Sequence, residues 1–172
     1  MADKGSYDEF APYYDVYWAV GYLRDFEMGL EEAILPLVPP RARVLDLCCG
    51  TGRLAAWLSK RGFDVIGLDA SEQMLAVARV NAPDAAFVKA DARSFTLPKP
   101  VDLVLSTFDS VNHFASLDEL EAVFGCVHRT LSDDGLFCFD FNTEEGFEYA
   151  GGETYAAVGE NHVCVSRSAW NT

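Results

Sequence analysis

The chain has 172 residues, half of them apolar and 23% charged, an ordinary composition for one globular domain. Its apolar runs are too short to span a bilayer and its first residues are polar, so we expect no membrane association, no secretory signal and a cytoplasmic location. With 27 acidic residues against 13 basic ones the formal charge is −14, which argues against nucleic acid as a partner.

Neither the cysteines nor the histidines form a pattern that indicates a disulfide framework or a metal site. The five cysteines are odd in number and most stand in apolar segments, so we expect buried free thiols in a reducing compartment. The vicinal pair Cys48-Cys49 would suit a nucleophile or a redox pair, but no cationic neighbour that would lower a thiol pKa is evident. The three histidines are scattered, so we expect no metal.

The N-terminal region is predicted to be helical and is rich in aromatic residues. The pattern over residues 6–37 predicts two helical pieces with a break near Gly21, and Pro39-Pro40 ends the region because proline cannot continue a helix. The aromatic residues of the first piece are Tyr7, Phe10, Tyr13, Tyr14, Tyr17, Trp18 and Tyr22. Such a stripe is more typical of packing than of a substrate platform.

Strand and helix patterns alternate from residue 43 onwards. Short apolar runs predict five strands, Arg43–Cys48, Phe63–Asp69, Ala85–Ala90, Val101–Thr107 and Leu136–Phe141. Helices are predicted over Arg53–Arg61, from Ser71 to about Val80, and from Ser116 to Leu131, with Gly62, Ser71 and the capping box Ser116/Glu119 as end signals. This alternation predicts an α/β fold, a Rossmann-like doubly wound and mostly parallel sheet.

The alternation stops near the C-terminal end of the chain. Asp133-Asp134-Gly135 predicts a turn before the fifth strand. Residues 153–170 predict a hairpin with strands Thr154–Val158 and His162–Ser168.

The segment VLDLCCGTGRLA, residues 44–55, joins the first strand to the helix that follows it. Gly50 and Gly52 allow a tight turn and a close approach to a ligand, and the helix N-terminus adds unpaired N–H groups. The six residues from Gly50 also match G-x-G-x-x-A, the dinucleotide fingerprint. Asp69 ends the second strand, where a carboxylate suits the ribose of NAD and of S-adenosylmethionine equally. A turn or capping carboxylate is the plainer alternative for Asp69.

Three features favour S-adenosylmethionine. Asp46 stands inside the first strand, where a dinucleotide enzyme usually has an aliphatic residue and where a carboxylate is costly unless hydrogen-bonded. Asp91 ends the third strand and could accept a hydrogen bond from an adenine amino group. The chain also opens with about 40 residues of aromatic-rich helix, whereas dinucleotide domains often begin at the strand.

With these residues in place, the chain resembles the class I S-adenosylmethionine-dependent methyltransferases over residues 7–170. It is most similar to a small-molecule group with the motif F-A-x-x-Y-D, here Phe10 to Asp15, and a motif D-S-x-N, here Asp109 to Asn112. The residues that the resemblance places around the cofactor are Tyr14, Asp46, Gly50, Gly52, Asp69, Ala70, Met74, Asp91, Ala92, Thr107 and Phe108.

The chain departs from this family at two points. Cys48 stands at the usual first glycine of the turn, so a positive φ there would strain the loop. Family members continue into an antiparallel insertion, a helix and two more strands, whereas this chain stops at Thr172, so we expect a fragment. The fifth strand would then be an exposed edge open to self-association. We divide the chain into a helical cap (1–40), a cofactor-binding core (41–142) and the start of a substrate-side insertion (143–172).

The resemblance implies methyl transfer to a small-molecule acceptor by in-line displacement. Positioning supplies most of the catalysis, and His113 and Asp109 are the candidate general bases. A packed histidine and a loop-pinning aspartate are the plainer alternatives for these two residues. An NAD(P)-dependent oxidoreductase and a cofactor-binding domain without turnover are the alternative functions.

Overall fold

The computed structural model describes residues 8–150 and 154–167, in which a five-stranded sheet carries helices on both faces. The strands are β1 Arg43–Leu47, β2 Asp64–Asp69, β3 Ala86–Lys89, β4 Val101–Ser106 and β5 Leu131–Phe139. All neighbouring strands are parallel, in the order β3-β2-β1-β4-β5. The predicted α/β fold is therefore confirmed.

Six α-helices lie in the described residues, and serine side chains cap two of them. They are α1 Ala11–Tyr14, α2 Val20–Gly29, α3 Arg53–Lys60, α4 Glu72–Asn81, α5 Leu117–Thr130 and α6 Glu144–Ala150. The Ser71 hydroxyl accepts from the Met74 N–H at 3.1 Å, and the Ser116 hydroxyl accepts from the Glu119 N–H at 3.3 Å. The Glu119 carboxylate accepts in return from the N–H of Ala115, one residue before the N-cap. Only α6 has no counterpart among the predicted elements.

The core lies on both faces of the sheet because the central strands are apolar on both sides. Leu45 of β1 belongs to one buried cluster, together with Val127 of α5. Val44 belongs to the other, together with Leu58 of α3. The chain runs outwards from β1 to β3 and then returns to pair β4 with β1, so the sheet order reverses between β1 and β4. Open parallel sheets bind ligands at such a point, outside the carboxyl ends of the strands.

The N-terminal helical region differs from its prediction. Within the predicted helical cap, the helical elements run continuously over residues 11–37, and Gly21 lies inside α2 rather than at a break. The irregularities are instead two π-helical segments, Asp15–Ala19 and Leu30–Ile34, followed by a 3₁₀ turn at Leu35–Leu37. The residues at the junctions have helical φ and ψ angles, so the helix continues through them. A single glycine weakens a helix but does not break it. Tyr7 lies outside the described residues.

Strand β5 begins earlier than predicted. Val101 pairs with Leu131 and Leu103 pairs with Leu136. The four residues of β5 between these pairs lie opposite a single residue of β4 and therefore form a bulge. The turn predicted at residues 133–135 is thus a bulge inside the strand. The outer edge of β5 pairs with no strand within the described parts of the chain.

The predicted hairpin is present as β6 Thr154–Val158 and β7 Val163–Arg167, and Ser168 falls outside the described residues. Its turn packs on the helical cap: a hydrogen bond of 2.8 Å joins the Tyr17 hydroxyl and His162 Nε2, and the Tyr13 and His162 ring centroids are 4.9 Å apart. None of the helices that the structure describes has the length and apolar character needed to cross a bilayer.

Candidate functional site

The turn between β1 and α3 adopts left-handed backbone angles three times within five residues. Cys48 has φ 62°, Gly50 has φ 51° and Gly52 has φ 71°. A Cβ at Gly52 would lie 2.8 Å from Ala78 Cβ of α4, so the third position is restricted by packing as well as by φ. Cys48 therefore has a left-handed backbone conformation. The glycine that is usual at this position in the family would adopt that conformation with less strain.

A pocket opens at the carboxyl ends of β1 and β4, between this turn and the helical cap. Its lining residues are Tyr14, Ala19, Asp46, Cys48, Cys49, Gly50, Thr51, Arg53, Leu54, Thr107, Phe108 and Ser110. Five of the predicted cofactor residues are among them, namely Tyr14, Asp46, Gly50, Thr107 and Phe108. Tyr14 lies over the turn, with its Cε1 atom 3.7 Å from where a Cβ on Gly50 would stand.

Asp46 is a buried carboxylate on the wall of this pocket. The residue is 2% exposed, and its Oδ2 atom has no hydrogen-bond partner. Burial, together with the nearby charge of Asp69, raises its pKa to about 7, although a hydrogen bond from the Ala55 N–H acts in the opposite direction. An unpaired buried acceptor is costly, so the pocket suits a ligand that brings a cation or an N–H donor.

Asp69 ends β2 beside the turn. Its Oδ2 accepts from the Gly50 N–H at 2.9 Å and its Oδ1 accepts from the Ser71 N–H at 2.9 Å. Burial raises its pKa, and these backbone hydrogen bonds partly offset the shift. A carboxylate oxygen has two lone pairs, so each oxygen can accept a further bond from a ligand. Of the two predicted adenine neighbours, Ala70 is exposed and Met74 is buried.

Asp91 follows β3 and lies next to Asp69 in the sheet, since the Ala90 N–H donates to the Asp69 carbonyl at 3.0 Å. Its carboxylate pairs with Arg93, whose Nε is 2.9 Å from Asp91 Oδ1. Ala92 is buried. The structure thus brings Asp46, Asp69 and Asp91 to the carboxyl ends of three adjacent strands, with Asp91 two residues after β3. The pocket lining does not include the other predicted cofactor residues, Gly52, Asp69, Ala70, Met74, Asp91 and Ala92.

The loop after β4 forms the opposite wall. Thr107 is buried, and Phe108 and Asp109 both have positive φ, 62° and 52°, which is unusual for two consecutive non-glycine residues. Asp140, just after β5, holds this geometry: its two oxygens accept from the N–H groups of Phe108 at 2.9 Å and of Asp109 at 2.7 Å. Asp140 was not predicted as a site residue. A carboxylate inside the otherwise apolar predicted strand Leu136–Phe141 was the signal that could have found it, because such a carboxylate is costly unless it is hydrogen-bonded.

The predicted general bases lie at the outer end of this loop. His113 ends a 3₁₀ turn and is exposed, and neither it nor Asp109 lines the pocket. Burial raises the pKa of Asp109, while the positive charge of His113 and a hydrogen bond from Asn142 at 2.9 Å lower it. A role in proton transfer stays a prediction for both residues.

The cysteines lack the electrostatics of a nucleophile. All five are free, but only Cys126 is fully buried and the other four are partly exposed, so the expectation of buried thiols is met at one position. At Cys48 and Cys49, burial and the negative charges of Asp46 and Asp69 raise the thiol pKa. No group of three metal-ligating side chains occurs among residues 8–150 and 154–167.

Comparison with known proteins decides the family. A family model described as a methyltransferase domain matches residues 44–135, more than half of the chain. The chain belongs to the class I S-adenosylmethionine-dependent methyltransferases. The cofactor of this family is S-adenosylmethionine, which carries a cationic amine and sulfonium, and the unpaired Asp46 oxygen in the pocket fits such a group. The family assignment argues against the NAD(P) alternative.

Named methyltransferases resemble the chain in sequence and in structure. An uncharacterised methyltransferase of Synechocystis is 35% identical over 71% of this chain and 60% of its own length. A dTDP-3-amino-3,4,6-trideoxy-glucopyranose N,N-dimethyltransferase of Streptomyces venezuelae is 30% identical over 73% of this chain and 54% of its own. The structure of S-adenosylmethionine-bound CalS10, an amino pentose methyltransferase of Micromonospora echinaspora, matches 93% of this chain and 70% of that protein with a TM-score of 0.75 and 27% identity. The chain therefore spans little more than half the length of these two curated methyltransferases.

Proposed function

We propose that the chain binds S-adenosylmethionine in the pocket between β1, β4 and the helical cap. We propose further that the methyl group is transferred from there to a small-molecule acceptor. The unpaired oxygen of Asp46 carries the proposal, because it is a buried acceptor that faces a pocket bounded by a backbone turn and by Tyr14. When bound, S-adenosylmethionine supplies a methyl group on a sulfonium, which is already activated as a leaving group.

The chain's own residues would bind and orient the cofactor. In this proposal Gly50, Gly52 and Asp46 hold the methionine part, and Asp69 accepts from the ribose hydroxyls. Ala70 and Met74 pack near the adenine, and Asp91 and the Ala92 N–H bind its edge. Thr107 and Phe108 lie beneath the methionine part, and Tyr14 excludes water from above. Positioning of this kind can lower a barrier by roughly 7–11 kcal/mol.

We propose an amine as the acceptor class. Tyr22 contacts Phe108 at a ring-centroid distance of 5.3 Å, on the side of the loop that Asp140 braces. Burial raises the pKa of Tyr22, and the negative charges of Asp109 and Asp140 raise it further, so the local field favours a cation. A protonated amine would be drawn to this side, and Asp109 or His113 would accept its proton before attack. Two relatives named as amino-sugar N,N-dimethyltransferases agree with this choice.

A titration tests the cofactor assignment. Calorimetry should show binding of S-adenosylmethionine and its product S-adenosylhomocysteine, and no binding of NADH. Asp69→Ala should weaken the affinity about ten- to hundredfold, since it removes charge-assisted hydrogen bonds. Asp64→Ala is the matched control, because Asp64 begins the same strand and so lies at the opposite end of β2 from Asp69. Equal affinities of wild type and Asp69→Ala would contradict the role of Asp69.

Turnover on a panel of amines, hydroxyl compounds and carboxylates tests the acceptor class, with amines expected to react fastest. For the general base, the variant that removes the proton acceptor, Asp109→Asn or His113→Gln, should remove a limb from the pH profile of kcat without changing cofactor affinity. An unchanged profile in both variants would assign these residues to the structure of the loop alone.

We also infer self-association through the outer edge of β5. The edge is apolar, with Phe139 and Phe141 38% and 59% exposed, and two copies related by a two-fold axis could pair there. Sedimentation should show a mass that rises with concentration, and Phe139→Lys should restore the monomer. A wild-type monomer at high concentration would refute the inference.

A cytoplasmic location stays a prediction, and the free state of the five thiols agrees with it.

A further inference from the structure

Two ion pairs tie the helical cap to opposite ends of α3. At the N-terminal end, Arg53 Nε donates to Asp15 Oδ1 at 2.8 Å and a second guanidinium nitrogen donates to Oδ2. At the C-terminal end, Arg61 Nε donates to Glu31 Oε1 at 3.0 Å and a second guanidinium nitrogen donates to the same oxygen, so this pair lacks the fork of two nitrogens on two oxygens. Only the first pair adjoins the pocket, because Arg53 is a lining residue.

The environment of Asp15 differs from that of Glu31. The Asp15 side chain is 12% exposed, whereas the Glu31 side chain is 48% exposed. The Asn81 amide, at the end of α4, donates to Asp15 Oδ1 at 2.9 Å and to the carbonyl of Thr51 in the turn at 2.8 Å. Asp15 therefore connects the cap to α3, α4 and the turn at a single point. Burial opposes its ionisation, but the hydrogen bonds from Arg53 and Asn81 outweigh burial and lower its pKa.

Asp15 is also the direct neighbour of Tyr14 in the chain. Tyr14 closes α1 and lies across the Gly50 backbone, and Asp15 opens the first π-helical segment. Fixing the Asp15 carboxylate on Arg53 therefore fixes the height of the Tyr14 ring above the turn. A bidentate ion pair with a shielded carboxylate, 12% exposed at the Asp15 side chain, has the directional strength for this role, whereas an exposed pair contributes little.

We propose that Asp15 and Arg53 are positioning residues that hold Tyr14 across the mouth of the pocket and so set how slowly the cofactor leaves. This inference rests on the proposed cofactor site. It predicts that separating the pair increases the dissociation rate of the ligand more than it changes the association rate, because a free ligand meets the turn before the cap has closed.

The test measures the release of S-adenosylhomocysteine from the whole chain by stopped-flow displacement. Asp15→Asn and Arg53→Gln should each accelerate release about tenfold, a loss of about 1.4 kcal/mol. Glu31→Gln and Arg61→Gln are the matched controls on the same two elements and should change the rate less than about twofold. Asp15→Glu should recover part of the wild-type rate.

A double-mutant cycle separates positioning from a general loss of stability. If Asp15 acts through Tyr14, then Asp15→Asn should accelerate release in the wild type but add nothing to Tyr14→Ala. Arg53→Lys, which keeps the charge and loses the bidentate geometry, replaces any variant that melts below the assay temperature. Equal effects of the two ion pairs, or additive effects of Asp15→Asn and Tyr14→Ala, would overturn this inference alone. Absence of S-adenosylhomocysteine binding by the wild type would overturn the proposed function as well.

Discussion

The pocket has two walls that are held in place by different means. On the β1 and β2 side, the turn follows directly from buried strands, and its shape depends on backbone angles at Gly50 and Gly52 and on close packing against α4. On the β4 and β5 side, the loop has positive φ at two residues that are not glycine, and the carboxylate of Asp140 maintains that shape from 31 residues away.

Reciprocal side-chain bonds reinforce the second wall. The Asn112 amide donates to the Asn142 carbonyl at 3.0 Å, and the Asn142 N–H donates to Asn112 Oδ1 at 2.9 Å. Both residues are exposed, so these bonds compete with water. The contrast indicates that the first wall is part of the folding core, whereas the second can be adjusted by substitution without loss of the fold. The proposed cofactor lies mainly against the first wall, with Thr107 and Phe108 of the second wall beneath its methionine part, and the proposed acceptor lies against the second wall.

Overfilling the first wall should have the largest effect. Gly52→Ala combines a positive φ with a Cβ 2.8 Å from Ala78 Cβ, so we expect destabilisation by about 3 kcal/mol, from backbone strain and overpacking together. Gly62→Ala is the control: its φ is 89° but nothing lies within 4 Å of the added Cβ, so only the strain of about 1 kcal/mol remains. Urea unfolding measures both, and equal losses would show that packing at the first wall is not decisive.

Neutralising the buried carboxylate should separate binding from stability. Since the pKa of Asp46 is raised to about 7, its ionisation in the folded chain adds no cost below about pH 4, an increasing cost from pH 4 to pH 7, and the largest cost above pH 7. Asp46→Asn should therefore raise Tm more at pH 8 than at pH 5. It should also weaken cofactor affinity about ten- to hundredfold, through the loss of a charged acceptor. A gain in Tm that is equal at both pH values would contradict the raised pKa.

Loosening the second wall should cost less. Asp140→Asn leaves one acceptor for two backbone N–H groups, so we expect a loss of about 1–2 kcal/mol and faster hydrogen exchange at the amides of Phe108 and Asp109. Asp134→Asn, exposed in the bulge of β5, serves as the control for the change in net charge. An equal loss of cofactor affinity in Asp140→Asn and in Asp46→Asn would contradict the different roles of the two walls.

The smallest effect is expected at the cysteines of the first wall. Cys48→Ala combined with Cys49→Ala should keep cofactor affinity within about threefold, or less than 1 kcal/mol, because the raised thiol pKa values exclude a thiolate role near neutral pH. Iodoacetamide should label both thiols slowly in the native chain and rapidly in urea. Loss of turnover in a folded double variant that still binds cofactor would contradict this expectation.

The sequence predicts the first wall far better than the second. Strands β1, β2 and β4 end within one residue of their predicted bounds, and both serine caps are correct, because apolar runs and capping side chains are local signals. The link from Asp140 to Phe108 depends on the pairing of β4 with β5, which no local pattern encodes. The same holds for the bulge of β5, which is visible only once the register of Leu103 with Leu136 is known.

The π-helical segment Asp15–Ala19 determines in which direction around the helix axis the preceding side chains of the cap point. A π turn holds about one residue more than an α turn, and each α-helical residue advances by about 100° around the axis. Helix α1, which precedes the segment, is thus rotated by about that angle relative to an uninterrupted helix. Deleting one residue between Asp15 and Ala19 would return the segment to α geometry and turn Tyr14 away from Gly50. The number of residues in this stretch, and not only their identity, determines which side chain covers the pocket.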